Sequence, residues 1–294
     1  MPKFPGAAET ECSPVSGSSP AAAVLPASET ISVDGVLVCV EGTGDETILM
    51  VHGWPDTHRL WDGTVAALAD SYRCCRFTLP GYGANPGELG GPPDLPAILR
   101  LLLQIADALC PNGKLTLLLH DWGCVFGYQF YMHHPERVSR IIGVDIGDTH
   151  RLPSALPTMQ VAGIFAYQFW LAVAWKIGGR AGDRMTRWLA ARMQAPGKPA
   201  AIHARMNWPY AQTWFGGDRS LRRQAVPFHP ECPMLYIWAE RKPFMFHSPG
   251  WPSQIERLRG GRAQSFDTSH WVMLDDPAGF NSLVRNWLQS APTA

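Results

Sequence analysis

The chain has 294 residues, and its 25 basic and 25 acidic side chains give a formal net charge of zero. This length favours one large α/β core with a single insertion over two independent domains. The balanced charge gives no electrostatic reason to expect nucleic acid or an anionic membrane as a partner. No membrane span is predicted, because no segment contains the roughly 18 consecutive apolar residues that a bilayer requires.

The predicted elements begin after a segment rich in Ala, Ser and Pro, residues 1–29, which we interpret as a disordered leader. A hairpin is predicted over residues 30–40, turning at Asp34 and Gly35, since this residue pair suits a two-residue turn. Further strands are predicted at residues 47–51, 75–79, 114–119, 138–145, 234–238 and 263–266, with helices at 59–69, 95–109, 123–134 and 277–288. This alternation predicts an α/β fold with a mostly parallel sheet, helices on both faces and ligands at the carboxyl ends of the strands.

The alternation stops between about residues 150 and 230, where a helical stretch rich in Trp, Met and Arg intervenes. We interpret this stretch as a helical cap inserted before the last two strands. The predicted core domain therefore comprises residues 30–149 and 231–294. Most of the aromatic side chains of the cap are expected to pack internally, and some to line an apolar cavity.

The cysteines number seven and show no C-x-x-C spacing. Five of them lie in or beside apolar segments and are interpreted as buried reduced thiols, which favours a cytoplasmic protein: Cys39, Cys74, Cys75, Cys124 and Cys232. No His or carboxylate pair has ligand spacing on one element, so neither a metal nor a cofactor is predicted.

An apolar strand that ends at Asp121 is the strongest indication of function. A nucleophile elbow needs a small residue two places after its nucleophile, and Gly123 meets that need. Leu119, two places before, is larger than usual. The alternative is that Asp121 is an ordinary N-cap of the following helix. A serine esterase is disfavoured, because the elbow offers a carboxylate and no hydroxyl.

Four motifs in chain order carry a resemblance to a known family: His52-Gly53-Trp54-Pro55-Asp56, Leu79-Pro80-Gly81-Tyr82-Gly83, His120-Asp121-Trp122-Gly123 and Ser269-His270-Trp271-Val272. Over residues 31–288 the chain resembles α/β-hydrolases of the epoxide hydrolase and haloalkane dehalogenase branch. The resemblance implies an α/β-hydrolase fold, Asp121 as nucleophile and His270 as the base that activates water. It also implies that the loop of His52 and Pro55 flanks the site, and that the backbone N–H groups of Trp54 and Trp122 receive an oxyanion.

The cap and the first motif favour an epoxide as the substrate. Dehalogenases of this branch commonly carry a halide-binding Asn where this chain has Trp54. Two cap segments resemble those that hold the epoxide-polarising tyrosines of epoxide hydrolases, which would make Tyr167 and Tyr210 the donors. The expected activity is hydrolysis of a small apolar epoxide by water to a vicinal diol, through a covalent ester on Asp121. A haloalkane dehalogenase and a non-catalytic ligand-binding protein remain alternatives, and the oligomeric state is left open.

The acid that orients His270 departs from the family pattern, because Lys242 occupies its usual place. An ammonium cannot accept the imidazole N–H bond that fixes the tautomer. Asp145, at the end of the preceding strand, is the preferred substitute. Glu240 and Asp148 are the alternatives, and Lys242 is expected to pair with whichever acid is used.

Overall fold

The computed structural model describes residues 28–83 and 92–292. In this part of the chain eight strands form one sheet: β1 (Ser28–Val33), β2 (Val36–Glu41), β3 (Thr47–Val51), β4 (Arg73–Phe77), β5 (Leu115–His120), β6 (Val138–Val144), β7 (Met234–Ala239) and β8 (Arg262–Phe266). Their order is β1-β2-β4-β3-β5-β6-β7-β8. The two pairs that contain β2 are antiparallel and the other five are parallel, so the prediction of a mostly parallel sheet is confirmed.

The helices of the described residues are α1 (Asp62–Leu68), α2 (Leu95–Leu109), α3 (Trp122–His133), α4 (Leu152–Ala155), α5 (Thr158–Ile177), α6 (Gly179–Arg192), α7 (Trp208–Phe215), α8 (Leu221–Gln224), α9 (Trp251–Glu256), α10 (Val272–Asp275) and α11 (Pro277–Ser290). Helices α1, α10 and α11 cover one face of the sheet, and α2, α3 and α9 cover the other. None of these described helices is both long enough and apolar enough to cross a membrane.

Strand β3 illustrates why the sheet is buried on both faces. Successive side chains of a strand point to opposite faces. Accordingly Ile48 and Met50 pack with α1 and α11, whereas Leu49 and Val51 pack with the opposite helices. All four are fully buried, which explains why the strand is a continuous apolar run without polar alternation.

Five helices, α4 to α8, lie between β6 and β7, where the sequence predicts a cap. Two tryptophan hydrogen bonds connect this segment to the loops after β3 and β4. The Trp54 indole donates to Asn207 Oδ1 at 2.8 Å, and the Trp208 indole donates to the backbone oxygen of Pro80 at 2.8 Å. The helical segment therefore lies over the carboxyl ends of these strands, and its status as a separate cap domain remains a prediction.

The N-terminal segment and one cysteine differ from expectation. Of the predicted leader, only residues 28 and 29 fall within the described residues, and both belong to β1. The interpretation of Cys39 as a reduced thiol is wrong, because this residue is disulfide-bonded. Cys74, Cys75, Cys124 and Cys232 are free and buried, as predicted. A cytoplasmic location therefore has no support from Cys39, and it remains a prediction.

Candidate active site

The turn between β5 and α3 places Asp121 in a strained conformation. Its φ of 52° and ψ of −121° lie where a residue with a Cβ atom is rarely found. The strain requires close packing on both sides: a Cβ atom at Gly123 would lie 2.1 Å from the backbone oxygen of Val51. The large Leu119 is accommodated by Gly127, one turn further along α3, where a Cβ atom would lie 2.5 Å from the leucine methyl groups.

The carboxylate of Asp121 is held between a backbone donor and an imidazole. The N–H of Trp54 donates to Oδ1 at 2.6 Å, and His270 Nε2 lies 3.5 Å from Oδ2. A Cβ atom at Gly53 would lie 2.3 Å from Asp121 Oδ1, so this position must be glycine. Burial by itself raises the pKa of Asp121, but the hydrogen bond and charge of His270 outweigh it and hold this pKa below its ordinary value. The nucleophile candidate is therefore ionised at neutral pH.

His270 lies between two carboxylates. Its Nδ1 donates to Asp145 Oδ2, while its Nε2 faces Asp121. Burial alone lowers the pKa of His270, but the hydrogen bonds and charges of Asp121 and Asp145 raise it to about 9. The imidazole is therefore protonated at neutral pH as long as both carboxylates are charged.

Asp145 is fully buried and its other oxygen is also occupied. Oδ1 accepts the N–H of Ala239 at 2.8 Å and forms an ion pair with Lys242, whose side chain is 3% exposed. Burial alone raises the pKa of Asp145, and the charges of Lys242 and His270 bring it below its ordinary value. The lysine in the usual place of the acid thus holds the acid that comes from the neighbouring strand.

The two alternative acids do not contact His270. Glu240 is exposed, immediately after β7. Asp148 is buried, but its oxygens accept the N–H of Ser248 at 2.7 Å and its hydroxyl at 2.5 Å. Of the three candidate acids, the structure therefore brings Asp145 alone to the imidazole.

His52 and Pro55, two further residues of the first motif, lie within the loop after β3. His52 is buried, donates from Nδ1 to Gly53 O at 2.9 Å and accepts the N–H of Leu79 at Nε2 at 2.9 Å. Burial lowers the pKa of His52 to about 3, so the ring is neutral. Pro55 is buried in the same loop. Both residues support the Trp54 loop and are absent from the cavity wall.

Asp56 links the loop of the first motif, residues 52–56, to the loop of residues 269–272 that carries His270, which we call the histidine loop. Its Oδ2 accepts the indole N–H of Trp271, the residue after His270, at 2.8 Å. Burial raises the pKa of Asp56 to about 7, although the hydrogen bond from Trp271 opposes this shift. On the other side, Nε2 of the buried His120 bonds to the backbone oxygen of His270 at 3.1 Å. Both contacts hold the histidine loop in place.

Two tyrosines from the helical segment lie close enough to Asp121 for its charge to act on their phenols. Tyr210 is buried and packs edge-on against Trp122, with ring centroids 5.1 Å apart. The half-buried Tyr167 stacks on Phe244 and lies 6.2 Å from the Tyr210 ring. Burial, followed by the charge of Asp121, raises the pKa of both phenols well above the ordinary value. Both phenols are therefore neutral donors at any pH near neutrality.

A cavity of about 430 Å³ reaches Asp121 and the two tyrosines, whereas His270 and Trp54 are not among its lining residues; the volume is within the range of ~300–1,000 Å³ typical of small-molecule sites. Asp121, Trp122, Tyr167 and Tyr210 lie in its wall together with mostly apolar side chains of α3, α5 and the segment after α8. Phe246 also lines it and is not predicted from the sequence, since it stands in an irregular segment without a motif. Among the described residues, no cluster of three His, Cys, Asp or Glu side chains could hold a metal ion.

Comparison with known proteins agrees with this architecture. The family model described as the alpha/beta hydrolase fold matches residues 46–277. The chain therefore belongs to the α/β-hydrolase fold family. An epoxide hydrolase from Bacillus megaterium, solved as a point mutant in complex with its product, superposes with a TM-score of 0.66 over 89% of this chain and 100% of its own, at 19% identity.

Curated relatives carry more than one activity name. A cis-3-alkyl-4-alkyloxetan-2-one decarboxylase of Xanthomonas campestris is 25% identical over 86% of this chain and 91% of its own length. Epoxide hydrolase srdG of Neurospora crassa is 23% identical over 83% of this chain and 86% of its own. A probable oxidoreductase, EphD, of Mycobacterium tuberculosis is 34% identical over 37% of this chain, and that match spans 19% of the relative's length.

Proposed function

We propose that this protein hydrolyses an apolar epoxide to a vicinal diol through a covalent ester on Asp121. The observation that carries the proposal is the Asp121 carboxylate in the wall of a cavity that Tyr167 and Tyr210 also line, with the His270 imidazole 3.5 Å from its Oδ2. A carboxylate nucleophile, two neutral donors and a base are the groups that ring opening and ester hydrolysis require. The similarity to epoxide hydrolases supports the same activity.

In the first step a carboxylate oxygen of Asp121 bonds to one epoxide carbon, and that carbon loses its bond to the ring oxygen. The oxygen develops alkoxide charge, which the phenols of Tyr167 and Tyr210 stabilise by hydrogen bonds before one donates its proton. Because the pKa of each phenol is raised, the phenolate regains a proton. His270, which is protonated before the reaction, releases the proton that the phenolate regains, and the imidazole becomes neutral.

The same alkylation prepares His270 for the second step. Conversion of Asp121 to a neutral ester removes one of the two charges that raise the pKa of His270. The neutral imidazole then takes a proton from water, and the hydroxide attacks the ester carbonyl. The tetrahedral oxyanion is received by the N–H of Trp54, which already lies 2.6 Å from Oδ1, and by the N–H of Trp122. Collapse expels the diol alkoxide, which takes the proton from His270, and the Asp121 carboxylic acid then returns its proton to the imidazole, so that both groups regain their starting charges.

The dehalogenase alternative is less well supported, because Trp54 stands where a dehalogenase commonly carries its halide-binding Asn, and its indole is already engaged with Asn207 at 2.8 Å. The non-catalytic alternative rested on Lys242, which pairs with Asp145 and leaves His270 an acid partner. Ring opening of an oxetan-2-one is a further candidate, favoured by the relative from Xanthomonas campestris.

The decisive experiment compares Asp121→Asn and His270→Gln with the wild type on a panel of an epoxide, a bromoalkane and an oxetan-2-one. Asp121→Asn should abolish diol formation, and His270→Gln should accumulate the ester, detected as added mass on the peptide that contains Asp121. Glu240→Gln is the matched control, since it also replaces a carboxylate but is exposed and should retain activity. Turnover of the epoxide by Asp121→Asn would exclude the covalent route. Bromide release or decarboxylation in place of diol formation would replace the proposed activity.

A further inference from the structure

The polar side chains along the wall of the cavity are mostly bound within the protein. The hydroxyl of Tyr128, both ends of the Gln129 amide and the hydroxyl of Thr213 bond to backbone groups at distances of 2.7 to 2.9 Å. These groups are therefore not free to recognise a ligand. Two charged side chains also lie in the wall: Asp121, whose side chain is 16% exposed, and Arg222, which is exposed.

Arg222 is one of three arginines in a short segment, and its two neighbours have acidic partners. Arg219 lies 3.6 Å from Asp94, and Arg223 lies 2.5 Å from Asp218. Within the part of the chain that the structure describes, no carboxylate lies within ion-pair distance of Arg222. Asp94 and Asp218 thus pair with arginines that do not line the cavity.

Two aromatic rings hold the Arg222 guanidinium in place. Its central carbon lies 4.7 Å from the ring centre of Trp214 and 5.1 Å from that of Phe165. Such rings cover the faces of the planar guanidinium, whereas its N–H donors point outward in the plane. Partial burial lowers the pKa of Arg222, without changing its charge at neutral pH. The result is a cation held against two rings, whose N–H donors bond to no other group among the described residues.

We propose that Arg222 forms an anion subsite and that the substrate is an apolar epoxide carrying a carboxylate at the end away from the ring. This inference rests on the proposed function for the reacting end only. The orientation follows because Arg222 attracts the anion to its own part of the wall, while the reacting ring must lie at Asp121. The apolar wall between them accommodates the body of the substrate.

The subsite is tested first by binding alone, so that the result does not depend on the chemistry at Asp121. Octanoate and octan-1-ol are titrated into the wild type, Arg222→Gln and Arg223→Gln by calorimetry. Octanoate should bind Arg222→Gln about three- to tenfold more weakly than the wild type, as expected for a partly exposed ion pair, and the difference should shrink with added salt. Octan-1-ol should bind all three proteins alike. Arg223→Gln removes the same charge from the same helix and should leave octanoate binding unchanged.

A second measurement compares turnover of a terminal epoxide that carries a distant carboxylate with that of the unsubstituted epoxyalkane of the same length. Arg222→Gln should raise KM for the acid by a similar factor and leave the epoxyalkane unaffected. Equal octanoate affinities for the wild type and Arg222→Gln would overturn the subsite, whether or not epoxides react. An Arg222-dependent affinity for octanoate in a protein that turns over no epoxide would instead sustain the subsite and refute the proposed activity.

Discussion

From the buried ion pair of Asp145 and Lys242 we predict how much each substitution lowers the free energy of unfolding. Asp145 is fully buried and the Lys242 side chain is 3% exposed. Replacing Asp145 by Asn therefore leaves an ammonium in the interior without a counter-charge, which costs about 3–5 kcal/mol in comparable sites. We expect Asp145→Asn to lower the free energy of unfolding at pH 7 by that amount. The loss should be smaller at pH 10, because Lys242 can then lose its proton.

Replacing Lys242, the other residue of the ion pair, is expected to cost less stability. Lys242→Met leaves Asp145 with the N–H of Ala239 and the charged His270, so its cost should be smaller, about 1–3 kcal/mol. The double variant Asp145→Asn/Lys242→Met no longer buries an uncompensated ammonium. Its stability should return to within about 1 kcal/mol of Lys242→Met alone, which is a strongly non-additive outcome. Its activity should stay low, because the Asn side chain carries no charge to stabilise the His270 imidazolium.

The assay is urea unfolding followed by tryptophan fluorescence, with the four proteins of the cycle measured side by side. Asp218→Asn is the matched control. This residue is 92% exposed and also pairs with a basic side chain, Arg223, so no measurable loss is expected. The reasoning fails if Asp145→Asn costs no more than the control, or if the double variant is no more stable than Asp145→Asn.

Two further predictions concern the imidazole and the elbow. The His270 ring should titrate near pH 9 by NMR in the wild type and at lower pH in Asp121→Asn, because that variant removes one neighbouring charge. Since the pKa of His270 in the folded protein lies above the unfolded value of 6.5, the stabilisation by His270 is fully present below pH 6.5 and is lost as the pH rises through about 9. Equal titration of His270 in the wild type and Asp121→Asn would contradict the inference that the Asp121 charge raises this pKa. Gly123→Ala should prevent folding or greatly reduce the unfolding free energy, because the new Cβ would lie 2.1 Å from the backbone oxygen of Val51. Gly63→Ala is its control, since nothing lies within 4 Å of a Cβ there, and a stable Gly123→Ala would refute the close packing inferred at the elbow.

Much of the fold follows from local patterns in the sequence. Apolar runs such as that of β3 predict strands buried on both faces, and the Asp34-Gly35 pair predicts the turn of the first hairpin. Both residues have positive φ values, 48° and 81°, as that turn requires. The elbow is also visible, because Gly123 must lie two places after a strained Asp121. These features are predictable since each depends on residues close together along the chain.

Other features depend on residues far apart in the chain, and no local pattern specifies them. Three acids are compatible with the sequence as partners of His270, and only the register of β6 beside β7 brings Asp145 to the imidazole and Lys242 to Asp145. The disulfide bond of Cys39 is likewise not indicated by any local pattern in the sequence.

The sequence by itself thus determined the class of the sheet and the carboxylate on the sharp turn after β5, because periodicity, turn chemistry and glycine spacing act over a few residues; the loop that carries His270 was recognised by its resemblance to the family motif. The tertiary structure alone decided which acid faces the imidazole, that the Trp54 indole is used by Asn207, and that Arg222 is left without an acidic partner among the described residues. Such pairings are set by distances between elements, which depend on the packing of the whole core.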